Sequence, residues 1–142
     1  MVLPDVTVLV YAHRADAPDH DDYRDWLETL LRGPNAYAMS DLVLSGFVRV
    51  VTHPRVFRDP TPLRAALAFA RSVRERPHRV AVAPGPRHWE IFASLVDAGA
   101  APGELAANAY LAAMAIEHGC EWITTDRDFA RFPGLRWKHP LD

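Results

Sequence analysis

Short apolar runs alternate with helical patterns along this chain. Apolar runs of strand length stand at 2–5, 36–39, 80–83, 122–125 and 135–137. Apolar positions at helical spacing predict helices over 23–31, 41–52, 62–76, 89–99 and 104–118, and a short turn of helix over 128–132. Ser40 is placed to cap the second of these helices, and Gly119 follows the fifth. The run from Val6 to Ala12 either extends the first strand or forms a helix.

Buried strands that alternate with amphipathic helices are typical of a parallel sheet covered on both faces. We therefore expect an α/β fold, a three-layer α/β/α sandwich with a short parallel sheet of four or five strands. The chain has 142 residues, which suits one domain over 1–142.

Composition narrows the class of protein. Hydrophobic residues make up 49% and charged residues 24%, as in globular proteins. The apolar runs are too short to span a membrane, and the first residues do not form a signal peptide, so we expect a cytoplasmic protein without membrane contact. Cys120 is the only cysteine, which excludes an internal disulfide or a multi-cysteine zinc site.

Charge is unevenly distributed although the net charge is only −2. The segment from Arg49 to Arg87 holds 9 of the 16 basic residues and just two acids, Asp59 and Glu75. This asymmetry permits a basic surface for a polyanion. A preference for GC-rich codons would explain the same arginines equally well.

Two predicted strands end in acids. Asp5 follows the first strand, and Asp126 and Asp128 follow the fourth. Ligands of open parallel sheets lie beyond the carboxyl ends of the strands, so Asp5 and Asp126 are expected at one edge. Gathered carboxylates without a nearby lysine suit a hard ion such as Mg²⁺ or Mn²⁺. The alternative is that each acid only caps a helix or turn.

The helix over 104–118 adds polar groups to this picture. Glu104 and Asn108 are four residues apart and share a face with Leu111, Ala112 and Ala115. A polar side chain on such a face needs a partner. For Asn108 the simplest alternative to a metal site is a hydrogen bond to a loop carbonyl.

Four segments carry a resemblance to a known family. They are LPDVTVLVYA at 3–12, LSGFVRVVT at 44–52, NAYLAA at 108–113 with EHG at 117–119, and TTDRDFARF at 124–132. In this order and spacing they resemble PIN-domain proteins, and more closely the VapC toxins of bacterial toxin–antitoxin pairs. The resemblance covers essentially the whole chain.

The resemblance implies a PIN-like fold and a metal-dependent endoribonuclease toxin. Such a toxin uses Mg²⁺ or Mn²⁺, cleaves structured RNA, is neutralised by a VapB-like antitoxin and forms a homodimer. By the same resemblance Asp5, Asn108 and Asp126 are the catalytic and metal-binding positions, and Asp128 is an additional metal-binding acid.

Two positions depart from the family pattern. Gly46 stands where many members have Glu, and Asn108 stands where the third Asp is expected. Both changes remove charge, so we expect weak, Mn²⁺-favoured metal binding and weakened activity. Asp41 and Glu104 are the acids that would compensate.

Contacts to substrate and partner are predicted elsewhere. Arg49 and Arg55 are candidates for binding RNA phosphates, with His53 beside them, because Arg offers a bidentate fork. The alternative for residues 53–55 is a loop that only ends a helix. A groove walled by the helices of Tyr23, Trp26 and Phe47 is the expected antitoxin site, unless these residues are core.

Two other hypotheses remain at this point. The first is a catalytically weakened PIN-like module that binds RNA or an antitoxin. The second is an aspartyl phosphotransferase with Asp5 as nucleophile. The phosphotransferase is disfavoured because such enzymes need an Asp where Thr7 stands and a lysine in the core, and the only lysine is Lys138.

Overall fold

A computed structural model describes residues 1–99 and 103–142 of the chain. Strands and helices alternate as the apolar pattern predicts, and the fold is a three-layer α/β/α sandwich with a short parallel sheet. The elements are β1 (Val2–Pro4), α1 (Val6–His13), α2 (His20–Arg32), β2 (Tyr37–Met39), α3 (Asp41–Val51), α4 (Leu63–Arg74), β3 (Arg79–Ala81), α5 (His88–Gly99), α6 (Glu104–Glu117), β4 (Glu121–Ile123), a 3-10 helix (Arg127–Arg131) and β5 (Trp137–Lys138).

All strand pairs are parallel. One ladder has the order β1-β4-β5, and β2 pairs with β3 in a second ladder. β2 also contacts β1, so the two ladders lie side by side. The residues of β2 are fully buried, as are most of those of β1 and β4, which is the pattern of strands covered by helices on both faces.

The structure shows whether the apolar run from Val6 to Ala12 extends β1 or forms a helix. The Asp5 side chain accepts a hydrogen bond from the Val6 N–H, and the chain turns directly into α1. The apolar run is therefore a buried helix rather than a longer strand. Ser40 caps α3 as predicted, and Gly119 follows α6 with a positive φ of 65°. Within 1–99 and 103–142, every helix falls short of the length and hydropathy that a bilayer span requires.

One apolar core connects the sheet with the helices. Its largest fully buried side chains include Trp122, Tyr37, Phe47 and Phe129. Phe47 has no exposed surface and Tyr23 is 6% exposed, so the prediction that they line an antitoxin groove is wrong for these two residues, whereas Trp26 is partly buried against the core. Phe47 and Tyr23 pack in the core. Helical spacing cannot distinguish a core face from a docking face, since both are apolar.

Candidate active site

The register of β1 and β4 brings two acidic strand ends together. Pro4 pairs with Ile123, and the Asp5 N–H donates to the Ile123 carbonyl at 2.8 Å. Asp5 and Thr124 are therefore the first residues beyond the ladder on neighbouring strands. Asp126 follows two residues later at the same edge.

The Asp5 carboxyl group is buried and held at both oxygens. Oδ1 accepts from the Val6 N–H at 2.6 Å, and Oδ2 accepts from the Thr124 hydroxyl at 2.6 Å. Only 5% of Asp5 is exposed. The side chain thus has one defined orientation at the start of α1.

Thr124 connects the two acids. Its hydroxyl oxygen accepts from the Asp126 N–H at 3.0 Å while its proton goes to Asp5. Because the backbone N–H occupies a lone pair of this oxygen, the hydroxyl is oriented as a donor toward Asp5. No role of Thr124 is predicted from the sequence; a threonine two residues before the strand-end acid is the signal that would have suggested one.

Asp126 also uses both carboxylate oxygens. Oδ1 accepts from the Asp128 N–H at 2.9 Å and so caps the 3-10 helix. Oδ2 accepts from Nδ2 of Asn108 at 3.4 Å. Asp5 and Asp126 therefore each cap a helix and also lie at the same edge of the sheet. The capping interpretation and the metal-site interpretation of these acids are thus compatible. Asn108 pairs with a carboxylate rather than a loop carbonyl.

The electrostatics of the site favour a bound cation. The pKa of Asp5 is raised to about 6. Burial is the largest cause and the charge of Asp126 adds to the rise, while the hydrogen bonds from Thr124 and Val6 oppose it. Within the described residues, none of the groups that act on this pKa is a cation. The carboxylate oxygens of Asp5 and Asp126 are donors of the type that a hard divalent ion prefers, and such an ion keeps several waters.

The side chains of two other predicted acids, Asp128 and Asp41, make no contact with this pair. Asp128 is exposed and meets Asp126 through its backbone N–H. Asp41 forms ion pairs with Arg74 at 2.7 Å and Arg79 at 3.4 Å, and the Arg74 hydrogen bond lowers its pKa. The Glu104 side chain lies outside the described part of the chain. Among the residues described, no three His, Cys, Asp or Glu side chains gather into a metal cluster.

The predicted substrate contacts are both exposed. Arg49 is on the last turn of α3 and lines a groove beside the site, whereas Arg55 is in the loop after α3. The Arg55 N–H donates to Nδ1 of His53 at 3.0 Å, so His53 stabilises this loop. Gly46 lies on α3 against α1, where an added Cβ would be 3.0 Å from Cγ2 of Val6.

Comparison with known proteins identifies the family. The PIN-domain family model matches residues 2–135. The chain therefore belongs to the PIN-domain family, as its four sequence motifs and its parallel α/β/α fold predict.

Curated relatives cover the whole chain. It is 46% identical to ribonuclease VapC43 of Mycobacterium tuberculosis over 142 residues, which is 100% of this chain and 97% of the relative. It is 41% identical to ribonuclease VapC25 of the same organism over 140 residues, 99% of each chain.

Solved structures have the same fold at low identity. VapBC2 from Rickettsia felis, bound to a DNA fragment from its promoter, matches with a TM-score of 0.68, 17% identity and 98% coverage of both chains. Mycobacterium tuberculosis VapC20, a toxin that cleaves the sarcin-ricin loop, matches with a TM-score of 0.66 and 17% identity, over 96% of this chain and 99% of that one.

Proposed function

We propose that this protein is the endoribonuclease toxin of a VapBC-type pair, a hydrolase that cleaves structured RNA and is neutralised by a VapB antitoxin. The observation that carries the proposal is the Asp5–Thr124–Asp126 arrangement at the carboxyl ends of two paired parallel strands. Relatives of full length and 41–46% identity are named VapC ribonucleases. The proposed location is the cytoplasm, where the RNA substrates of such a toxin are present.

Each residue of the site has a distinct task in this proposal. Asp5 and Asp126 supply carboxylates for a divalent cation, and Asn108 supplies an amide oxygen once it turns from Asp126. Thr124 orients Asp5 and fixes its distance from Asp126. Arg49 and Arg55 bind the phosphates that flank the scissile bond, since guanidinium groups pair with phosphate oxygens.

PIN-domain ribonucleases depend on a divalent metal ion, and we propose Mg²⁺ or Mn²⁺ for this chain. Such an ion lowers the pKa of a bound water and neutralises charge on the phosphate. The chain itself contributes a buried, dehydrated carboxyl group, which strengthens electrostatic interactions at this point.

The proposed assembly is a homodimer of single-domain subunits, each of which extends over residues 1–142 and binds a VapB antitoxin. Neighbours of known structure support this partner, because several are toxin–antitoxin complexes. Co-expression tests this directly. The chain alone should arrest bacterial growth, and its cognate antitoxin should restore growth.

Cleavage of RNA tests the proposed function. The purified chain is incubated with a pool of structured RNAs in Mg²⁺, in Mn²⁺ and in EDTA. We expect defined cuts with either ion and none in EDTA or with Asp5→Ala. Cleavage by Asp5→Ala at the parent rate would show that the site is elsewhere.

A second candidate function is a weakened PIN module that binds RNA or an antitoxin without efficient cleavage. The observation in its favour is the amide of Asn108 at a position where the family has a carboxylate. RNA binding without cleavage in both Mg²⁺ and Mn²⁺ would support it over the nuclease.

A further inference from the structure

The loop of residues 52–62 joins α3 to α4 and carries Arg55, one of the proposed phosphate contacts. Arg55 and Arg58 are exposed on this loop, and Asp59 is its only acid. An exposed loop with more basic than acidic groups attracts a polyanion. The direction in which the two arginines point depends on how the loop is held.

Arg14, the residue that follows α1, contacts this loop at three points. Its Nη1 donates to the Asp59 carbonyl at 2.8 Å and to Oγ1 of Thr61 at 3.2 Å. Its guanidinium carbon lies 4.1 Å from the ring centroid of Phe57, which is a cation–π geometry. The three contacts are spread over residues 57–61, so a single side chain fixes the second half of the loop.

The Arg14 guanidinium is itself held in place by Asp16. Nε donates to Oδ1 at 2.9 Å and Nη2 donates to Oδ2 at 2.6 Å, which makes a bidentate pair. Only 11% of the Arg14 side chain is exposed, although arginine side chains are mostly exposed in proteins. Arg14 therefore has one defined orientation between Asp16 and the loop.

His13 adds a second contact from the end of α1. Its Nε2 lies 3.1 Å from Oγ1 of Thr61, and its ring packs edge-on against Phe47 of α3 at 5.4 Å between centroids. The Thr61 N–H donates to the Val51 carbonyl at 2.8 Å. The helix that begins at Asp5 thus ends against the loop, about 12 Å further along, which is the length of an eight-residue helix.

We propose that Arg14 is a positioning residue for RNA binding, which holds residues 57–61 so that Arg55 and Arg58 face the RNA backbone beside the scissile phosphate. In this role Arg14 itself touches neither the RNA nor the ion. The inference rests on the proposed function and adds to it a residue that acts on substrate affinity instead of the chemical step. A purely structural role would change stability without changing KM.

Limited proteolysis without RNA tests whether Arg14 holds the loop. Trypsin cuts after accessible arginines, so mass spectrometry can follow cleavage after Arg55 and Arg58. We expect these cuts to be about fivefold faster in Arg14→Ala, because the loss of a hydrogen bond raises the population of the open loop by this order. Arg24→Ala is the matched control, since Arg24 also pairs with aspartates but makes these contacts within α2.

Cleavage kinetics in Mn²⁺ test the effect on the substrate, with a structured RNA that the parent cuts. For Arg14→Ala we expect KM to rise about tenfold, the scale of one charge-assisted hydrogen bond, and kcat to stay within about twofold of the parent. Arg55→Ala should raise KM in the parent and have little further effect in Arg14→Ala, because both changes remove the same contact. Arg24→Ala should keep the parent KM.

Two further variants make the test independent of the fate of Arg14→Ala. Asp16→Ala removes an exposed side chain and releases the guanidinium, so it should shift proteolysis and KM in the same direction. Arg14→Lys keeps the charge but lacks the planar fork, so it should not restore the parent KM. Melting curves and Mn²⁺ titration establish that each variant is folded and retains its ion site.

The failures of the two proposals are distinguishable. Failure of the proposed function appears in the parent, which then cleaves no RNA, and the role of Arg14 fails with it. Failure of the inference alone appears only in the variants. Parent-like proteolysis of Arg14→Ala and Asp16→Ala would show that other contacts hold the loop. Faster proteolysis with an unchanged KM, or a lower kcat at an unchanged KM, would equally overturn the positioning role.

Discussion

Asp5 has to satisfy two conditions that oppose each other. It caps α1 from a buried position, and it carries the charge that a cation needs. Burial penalises the charged form, so the pKa of Asp5 lies at about 6 instead of 3.8. Without a bound cation, the ionised group therefore costs stability at neutral pH.

The pH dependence of stability should show this cost. Between about pH 4 and 6 the folded state binds more protons at Asp5 than the unfolded state, so stability falls as pH rises through this window. A shift of this size corresponds to about 3 kcal/mol. Asp5→Asn does not titrate, and its free energy of unfolding relative to the parent should rise by that order from pH 4 to 7.

Urea unfolding of both proteins in EDTA measures the effect. Groups that do not interact with Asp5 titrate alike in the parent and in the variant, so the difference between the two curves reports Asp5 and the groups coupled to it. Curves that stay parallel from pH 4 to 7 would show that the Asp5 pKa is not raised.

Asn108 affects the electrostatics of the site because it is neutral where the family pattern has an aspartate. Its amide donates to Asp126, whereas an aspartate would repel both Asp5 and Asp126 in the metal-free protein. We expect Asn108→Asp to lower the melting temperature in EDTA and to bind Mn²⁺ on the order of tenfold more tightly, because one more charge faces the ion. RNA cleavage should be faster.

Calorimetric titration with Mn²⁺, melting curves with and without the ion, and a cleavage time course give three independent measurements. Asn108→Ala is the control, since it removes the hydrogen bond without adding charge. Equal Mn²⁺ affinity of parent and Asn108→Asp would show that residue 108 does not face the ion.

At the scale of elements, α3 and α1 touch at Gly46. From the sequence, Gly46 is predicted to be a missing ligand; in the structure it is also a point of close packing. A β-branched side chain such as Val6 is restricted at χ1, so it cannot turn away easily. The gain in helix propensity from Gly to Ala, about 1 kcal/mol, is therefore opposed by overpacking of about 1–3 kcal/mol.

We expect Gly46→Ala to destabilise the parent by about 1 kcal/mol and to stabilise a Val6→Ala background by a similar amount. Gly46→Glu should carry the same packing cost, which limits what it can add to the ion site. Urea unfolding of the four proteins of this double-mutant cycle measures the coupling. Additive effects would contradict the contact.

Glu117, at the end of α6, forms hydrogen bonds with the backbone that leads into α5. The Glu117 carboxylate accepts from the backbone N–H groups of Gly85 at 2.7 Å and Arg87 at 2.9 Å. Burial raises the pKa of Glu117, but these hydrogen bonds together with nearby histidines lower it overall. A Cβ at Gly85 would lie 2.7 Å from Glu117. The EHG segment of the family resemblance thus has a structural role here, since it orients the two helices that carry Phe92 and Tyr110.

At the scale of the molecule, β1, β2, β4 and most helices each contribute buried side chains to one hydrophobic cluster. A continuous core of this kind unfolds cooperatively. We expect one transition in urea, with circular dichroism and the fluorescence of the four tryptophans superimposing at a fixed protein concentration. Two separated transitions would contradict the single domain over 1–142.

Sequence alone determined the order of strands and helices, the α/β class and the acids at the strand ends. It could do so because burial of apolar side chains repeats at the period of each element, and Ser40 and Gly119 mark helix ends by local chemistry. The family followed from motifs spread over the whole chain.

Tertiary structure alone decided which polar groups meet. Thr124 reaches Asp5 across 119 positions of sequence, and Asp41 lies with Arg74 and Arg79 instead of beside Asp5. Such partners depend on strand register and on the direction of each side chain, which no local pattern encodes. For the same reason Phe47 is core and the surface beside Phe92 forms a groove, although both segments are equally apolar in sequence.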